Sequence, residues 1–132
     1  MSPRKTKRFS GPLNQTAVYW GTPTPDGYGG RTFVDPVELL PGSDNGVRWE
    51  ERAEKFIDLN GEEAVSRAVI YVAQDCDIGG YLFLGDLDDL SSGEEADPQT
   101  VADAWEIRGW SKIPTRDARG FLRKAWIGSG GA

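Results

Sequence analysis

Three carboxylates in close sequence, Asp86, Asp88 and Asp89, are the side chains best suited to hold a hard cation, because Mg²⁺ and Ca²⁺ take clustered oxygen ligands. Their spacing argues against it. The run lacks the Asp-x-Asp-x-Asp-Gly order of a calcium loop, and an acidic turn after an apolar stretch is ordinarily a solvated one. Cys76 stands between Asp75 and Asp77, and with neither a histidine nor an adjacent cation nothing favours its thiolate. It reads as a buried or half-buried structural side chain. Gly27, Gly29 and Gly30, in Asp26-Gly-Tyr-Gly-Gly-Arg31, have the outline of a phosphate cradle, but no Gly-Lys-Ser/Thr and no helix follows them.

The 132 residues contain no histidine, which removes the commonest general base, the commonest transition-metal ligand and the usual activator of serine and cysteine nucleophiles. Any catalysis would have to run on carboxylates, lysine, tyrosine or a hard metal ion, and a carboxylate-only hydrolase is the least favoured reading. The expectation is therefore a protein that is not an enzyme, with no catalytic residue, no metal ligand and no cofactor. One cysteine cannot form an intramolecular disulfide or a CxxC zinc site, which predicts folding in a reducing cytoplasm. The opening Met-Ser-Pro-Arg-Lys-Thr-Lys-Arg is followed by no apolar run, so neither a signal peptide nor a membrane partner is expected.

Charge is the stronger signal. The net −6 divides into four blocks: +4 over residues 1–8, −5 over 9–67, −10 over 68–107 where no basic residue occurs, and +5 from 108 to the end. Like charges within a segment repel, so such segregation suits a chain whose blocks meet opposite charge on neighbouring elements or subunits. The candidate interface residues are Arg4, Lys5, Lys7 and Arg8 in the first block and Arg108, Lys112, Arg116, Arg119, Arg123 and Lys124 in the last. Asp86, Asp88, Asp89, Glu94 and Glu95 carry half of the ten acidic charges of residues 68–107. Five tryptophans exceed what one small core usually hides, so one or two are expected as interface anchors.

The elements that must position these residues are short and β-rich. With 17 Gly and 8 Pro, turns outnumber helices. Residues 1–15 show no periodicity and read as a flexible basic arm. Thr16 to Trp20 reads as a strand, and loops are expected over 21–46, with a short strand at Arg31 to Val34, and over 86–103. Val47 to Ile57 and Ala64 to Ala73 predict a hairpin closed by Asn60-Gly61 as a two-residue type I′ turn, which places Ile57 opposite Ala64, Trp49 opposite Val72 and Glu54 opposite Arg67. Tyr-Leu-Phe-Leu84 is apolar on both faces and reads as a central strand. Trp105 to Ile113 and Phe121 to Ile127 alternate as two more, and 128–132 read as a tail. The fold class is mainly β: one small β-barrel of six or seven short strands over 16–127, with Trp49, Tyr71, Leu82 and Leu84 in its core.

Val47-Arg-Trp-Glu-Glu-Arg, Phe56-Ile-Asp-Leu-Asn-Gly-Glu-Glu, Val65-Ser-Arg-Ala-Val-Ile-Tyr-Val72, Gly79-Gly-Tyr-Leu-Phe-Leu-Gly85 and Phe121-Leu-Arg-Lys-Ala-Trp-Ile127 follow one another in an order that resembles the head-closure proteins of tailed phages, also called stoppers, head-completion proteins or head-tail connectors. The resemblance implies a virion protein of the phage neck, assembled in the host cytoplasm as a homo-oligomeric ring of six or twelve copies. Such a ring sits below the portal and adaptor rings, receives tail-side ring proteins and contacts packaged DNA without reading its sequence; the resemblance makes Asp86, Asp88, Asp89, Glu94 and Glu95 candidates for a loop facing the DNA channel, where negative charge would let phosphates slide without sticking. Two rivals stand beside it: a tail terminator or tail-completion ring, and a small nucleic-acid-binding barrel that uses its basic ends.

Overall fold

The computed structural model describes residues 13–41, 46–114 and 121–128. Arg4, Lys5, Lys7, Arg8, Arg116 and Arg119 lie outside them, as do the predicted arm up to residue 12 and the tail from 129. The strands in chain order are β1 (Ala17–Trp20), β2 (Thr24–Pro25), β3 (Arg31–Thr32), β4 (Val37–Leu39), β5 (Val47–Glu50), β6 (Lys55–Ile57), β7 (Glu63–Val65), β8 (Ala68–Val72), β9 (Tyr81–Leu84), β10 (Ala104–Pro114) and β11 (Phe121–Gly128). Helix among the described residues is limited to α1 (Ser92–Ala96) and two 3₁₀ turns, Leu87–Asp89 and Pro98–Thr100. The expectation of a mainly β chain is met.

Seven strands form one antiparallel sheet in the order β4-β1-β9-β10-β11-β8-β5. The sheet curls far enough that its edge strand β5 reaches the residue leading into β1. Gln15 and Val47 exchange two backbone hydrogen bonds of 3.0 and 2.9 Å, and the Gln15 side-chain oxygen accepts from the Trp49 amide at 2.7 Å. That contact is a single bridge and not a continuous ladder. A bulge at Arg108, between the pairs Ile107–Ile127 and Gly109–Trp126, adds the local bend and twist that such curling needs.

Alternation along the strands sorts the apolar side chains onto two faces. Inside the curl, Ala17, Tyr19, Leu39, Val47, Trp49, Ala68, Ile70, Val72, Leu82, Ile107, Ala125 and Ile127 make one cluster to which every strand of the sheet contributes. Each fully buried Leu, Ile or Val there contributes on the order of 1.5–3 kcal/mol relative to exposure. On the outer face Val18, Trp20 and Tyr81 meet Phe33, Leu90 and Val101, residues delivered by the long connections. Segment 21–46, expected as a loop, thus supplies the β2–β3 ribbon, Phe33 and the edge strand β4.

The predicted hairpin is present, with a different register. Asp58 pairs with Glu62 around three residues, Gly61 takes φ 79°, and the observed partners are Lys55–Val65, Phe56–Ala64 and Ile57–Glu63. Trp49 lies opposite Ile70 and not Val72. The predicted pair of Glu54 with Arg67 does not form, since Arg67 stacks on Trp105 instead. The core assignment holds for Trp49 and Leu82, whereas Tyr71 is half-buried and Leu84 is 40% exposed at the strand's end. Trp20 and Trp49 are buried; Trp105, Trp110 and Trp126 are half-buried.

Candidate assembly surfaces

The outer face of β5, β8 and β11 carries an ion-pair ladder built from side chains two residues apart, which a strand places on one side. Arg48 Nε donates to Glu50 at 2.6 Å, Arg52 Nε donates to the other Glu50 oxygen at 2.8 Å, and Arg52 also binds Glu54. Glu54 Oε1 further accepts from Lys124 Nζ at 2.5 Å and Trp126 Nε1 at 2.7 Å. Partial burial pushes the Glu54 carboxyl up, but the bonds from Lys124, Arg52 and Trp126 together outweigh it and hold the group at about 2. Arg52 and Arg48 likewise hold Glu50 below the usual carboxylate range.

A second pairing binds the strand ends. Asp75 accepts from Arg123 Nε at 2.8 Å and lies 3.1 Å from Lys112 Nζ, and these two cations lower its carboxyl. Lys112, Arg123 and Lys124, expected at a subunit interface, therefore have partners in their own chain. Cys76 beside Asp75 is buried, and that burial, with the charges of Asp77 and Asp75, pushes its thiol to about 12. Tyr19, raised by burial to about 12, accepts the Asp77 amide at 2.8 Å and fastens the same turn.

The acidic segment 86–97 is folded onto the sheet. Leu90, Pro98 and Val101 are buried, Trp20 Nε1 donates to the Glu95 carbonyl at 2.9 Å, and the Leu87 amide donates to Glu38 at 2.8 Å. Its polar groups cap its own turns: Asp89 accepts from the Asp86 amide, while Ser91 and Glu94 form a capping box at the start of α1. Asp86, Asp88 and Asp89 are exposed; Glu94 and Glu95 are half-buried. The ion pairs of the described residues run through Glu50, Glu51, Glu54 and Asp75 and do not include these five. Among the described residues no group of three acids, cysteines or histidines is placed to hold a metal ion.

The β6–β7 hairpin stands apart as a two-stranded sheet folded back against β10 and β11. Phe56 stacks on Trp126 with ring centroids 5.4 Å apart. Between the hairpin and the sheet lies a cleft of about 510 Å³ lined by Phe56, Val65, Ser66, Arg67, Trp105 and Arg108. The Arg67 guanidinium rests 4.2 Å from the Trp105 ring centre, with Glu51 3.8 Å away on its other side. A smaller cleft of about 240 Å³ beside the hairpin's turn involves Leu59, Ile78 and again Arg108.

No family model, curated protein or solved structure matches this chain.

Of the candidate residues named from sequence, the fold gathers Lys112 and Arg123 on Asp75, places Lys124 on Glu54, puts Arg108 at the bulge, and spreads Asp86 to Glu95 over the opposite end of β10. Sequence reasoning missed the Arg48–Glu50–Arg52–Glu54 ladder, although the alternation of opposite charges at every second position is its signature. It also missed the Arg67–Trp105 stack, which joins residues 38 apart and has no local signal.

Proposed function

We propose that this chain is a structural, non-catalytic ring component of a tailed-phage neck, of the head-closure type, closing the DNA-filled head below the portal and adaptor and offering the tail its attachment surface. What carries the reading is the partition of charge after folding. Most basic residues of the described C-terminal strands are used up in the ladders to Glu54 and Asp75, while Asp86, Asp88 and Asp89 stay exposed on a segment pinned to the sheet by Trp20, Leu90 and Val101. A pinned, charged surface on a small curled sheet suits docking between copies and between rings, where electrostatic complementarity sets register and partner choice. The shifted groups favour it too. Glu54, Tyr19 and Cys76 are each held by packing or ion pairing away from the pKa range in which general acids and bases work.

Electron microscopy of the purified chain mixed with portal and adaptor rings tests this. The expected image is a ring of this chain on the tail-proximal side of the adaptor, with DNA retained in filled heads. A ring at the far end of the tail tube would replace the head-closure reading with a tail terminator. A monomer that binds short DNA with a steep salt dependence would replace it with the nucleic-acid-binding barrel.

A further inference from the structure

We propose that the cleft between the β6–β7 hairpin and β10 receives the Asp86–Asp89 turn of a second copy of this chain, with its carboxylates meeting Arg67. The inference rests on the ring reading only in requiring a second copy.

The cleft has the makings of a protein-binding site. At about 510 Å³ it admits several side chains, and it sets the Arg67 guanidinium beside the rings of Phe56 and Trp105. Arg67 is preorganised by its stack on Trp105, which lowers the entropy lost when it binds a carboxylate. Its contact with Glu51, at 3.8 Å between side chains about half exposed, is loose enough to be exchanged. The rim carries an apolar side chain as well, Val65, which is 60% exposed. Ile57 and Leu59, 63% and 76% exposed, stand on the same short hairpin, a concentration that solvated turns seldom carry and that interface cores commonly do.

The occupant follows from charge. An anionic segment is required, and residues 86–97 of this chain hold six acids and no base. Leu84, 40% exposed just ahead of them, offers an apolar side chain to the same rim. Within one chain the two surfaces are kept apart: Ala104 packs under the acidic segment, whereas the next residue, Trp105, points to the other side of β10 and lines the cleft. Contact between them therefore joins two copies head to tail, which is the kind of interface that closes into a ring. Nucleic acid is disfavoured as occupant because a chain of net charge −6 repels it and already carries a better-matched partner. This assigns the segment to the subunit interface instead of the DNA channel.

The test is sedimentation velocity on the full chain at low salt, with circular dichroism confirming that each variant is folded. Arg67→Glu is expected to weaken self-association about tenfold or more, and the pair Asp86→Lys with Asp88→Lys to do the same from the other surface. A chain carrying all three changes regains association, and so does an equimolar mixture of the two single-surface variants, because each then meets opposite charge on the other at both surfaces. If Arg67→Glu assembles like the parent, the proposal is overturned while the neck reading stands on its microscopy. A parent chain that stays monomeric at every concentration overturns it as well, and the microscopy then decides the neck reading alone. Loss of binding to a short DNA duplex in Arg67→Glu, with association unchanged, would give the cleft to nucleic acid instead.

Discussion

Gly109 lies directly beneath Phe56: a Cβ at position 109 would fall 2.6 Å from the Phe56 ring and 2.9 Å from Trp126. This absence of a side chain lets the β6–β7 hairpin close down on the sheet and keep Phe56 stacked on Trp126. Gly109→Ala is therefore expected to cost about 1–3 kcal/mol through overpacking. Calorimetry reads the loss, and amide exchange should accelerate over residues 55–65. An unchanged midpoint with unchanged protection would mean that Phe56 does not pack there.

The Glu54 carboxyl gives a pH dependence with a definite sign. Its folded value of about 2 lies below its ordinary 4.5, so its stabilisation is complete above the unfolded value and is lost as pH falls from there toward 2. With a quarter of the side chain exposed, solvent screening holds the amount to about 1–2 kcal/mol. Glu54→Gln keeps an acceptor for Trp126 and removes the charge. Urea unfolding should show the variant less stable near neutral pH, the gap closing along an acid series. A gap of constant size would show that the ion pairs contribute nothing.

The strands themselves were legible because β-branched and aromatic runs, broken by Gly and Pro, mark short strands whatever their partners. Tyr81–Leu84 took its expected central place for that reason. Register was not legible. Asn60-Gly61 fits a two-residue or a three-residue turn, and the choice rests on whether Gly61 alone takes the left-handed conformation, which shifts each partner and turns the pattern over. The charge ladders were hidden by topology: β8 pairs with β5, its near neighbour in sequence, and with β11, some fifty residues on, and Lys124 reaches Glu54 only because of that insertion.

Leu82 and Leu84, two residues apart on β9, separate the core from the strand's open end. Leu82 is fully buried in the inner cluster, so Leu82→Ala is expected to cost about 2–5 kcal/mol. Leu84→Ala, at a position 40% exposed, should stay within about 0.5 kcal/mol of the parent. Chemical denaturation of the two variants side by side settles it. Equal losses would place Leu84 back in the core.

Trp20 is fully buried, and its indole N–H is the polar tie between the sheet and α1, through the Glu95 carbonyl at 2.9 Å. At five residues α1 is too short to persist by helix formation alone, since a nucleus of one turn is unfavourable in water. Its order comes from the Ser91–Glu94 capping box and from this hydrogen bond. Trp20→Phe removes the donor and part of the packing under Leu90 and Val101, for an expected loss of about 1–3 kcal/mol. Amide exchange should rise over residues 91–97 and little elsewhere. Glu95→Ala keeps the accepting carbonyl, so it should leave that protection intact; equal loss of protection in both variants would show that the Glu95 side chain, and not the bond from Trp20, holds the segment down.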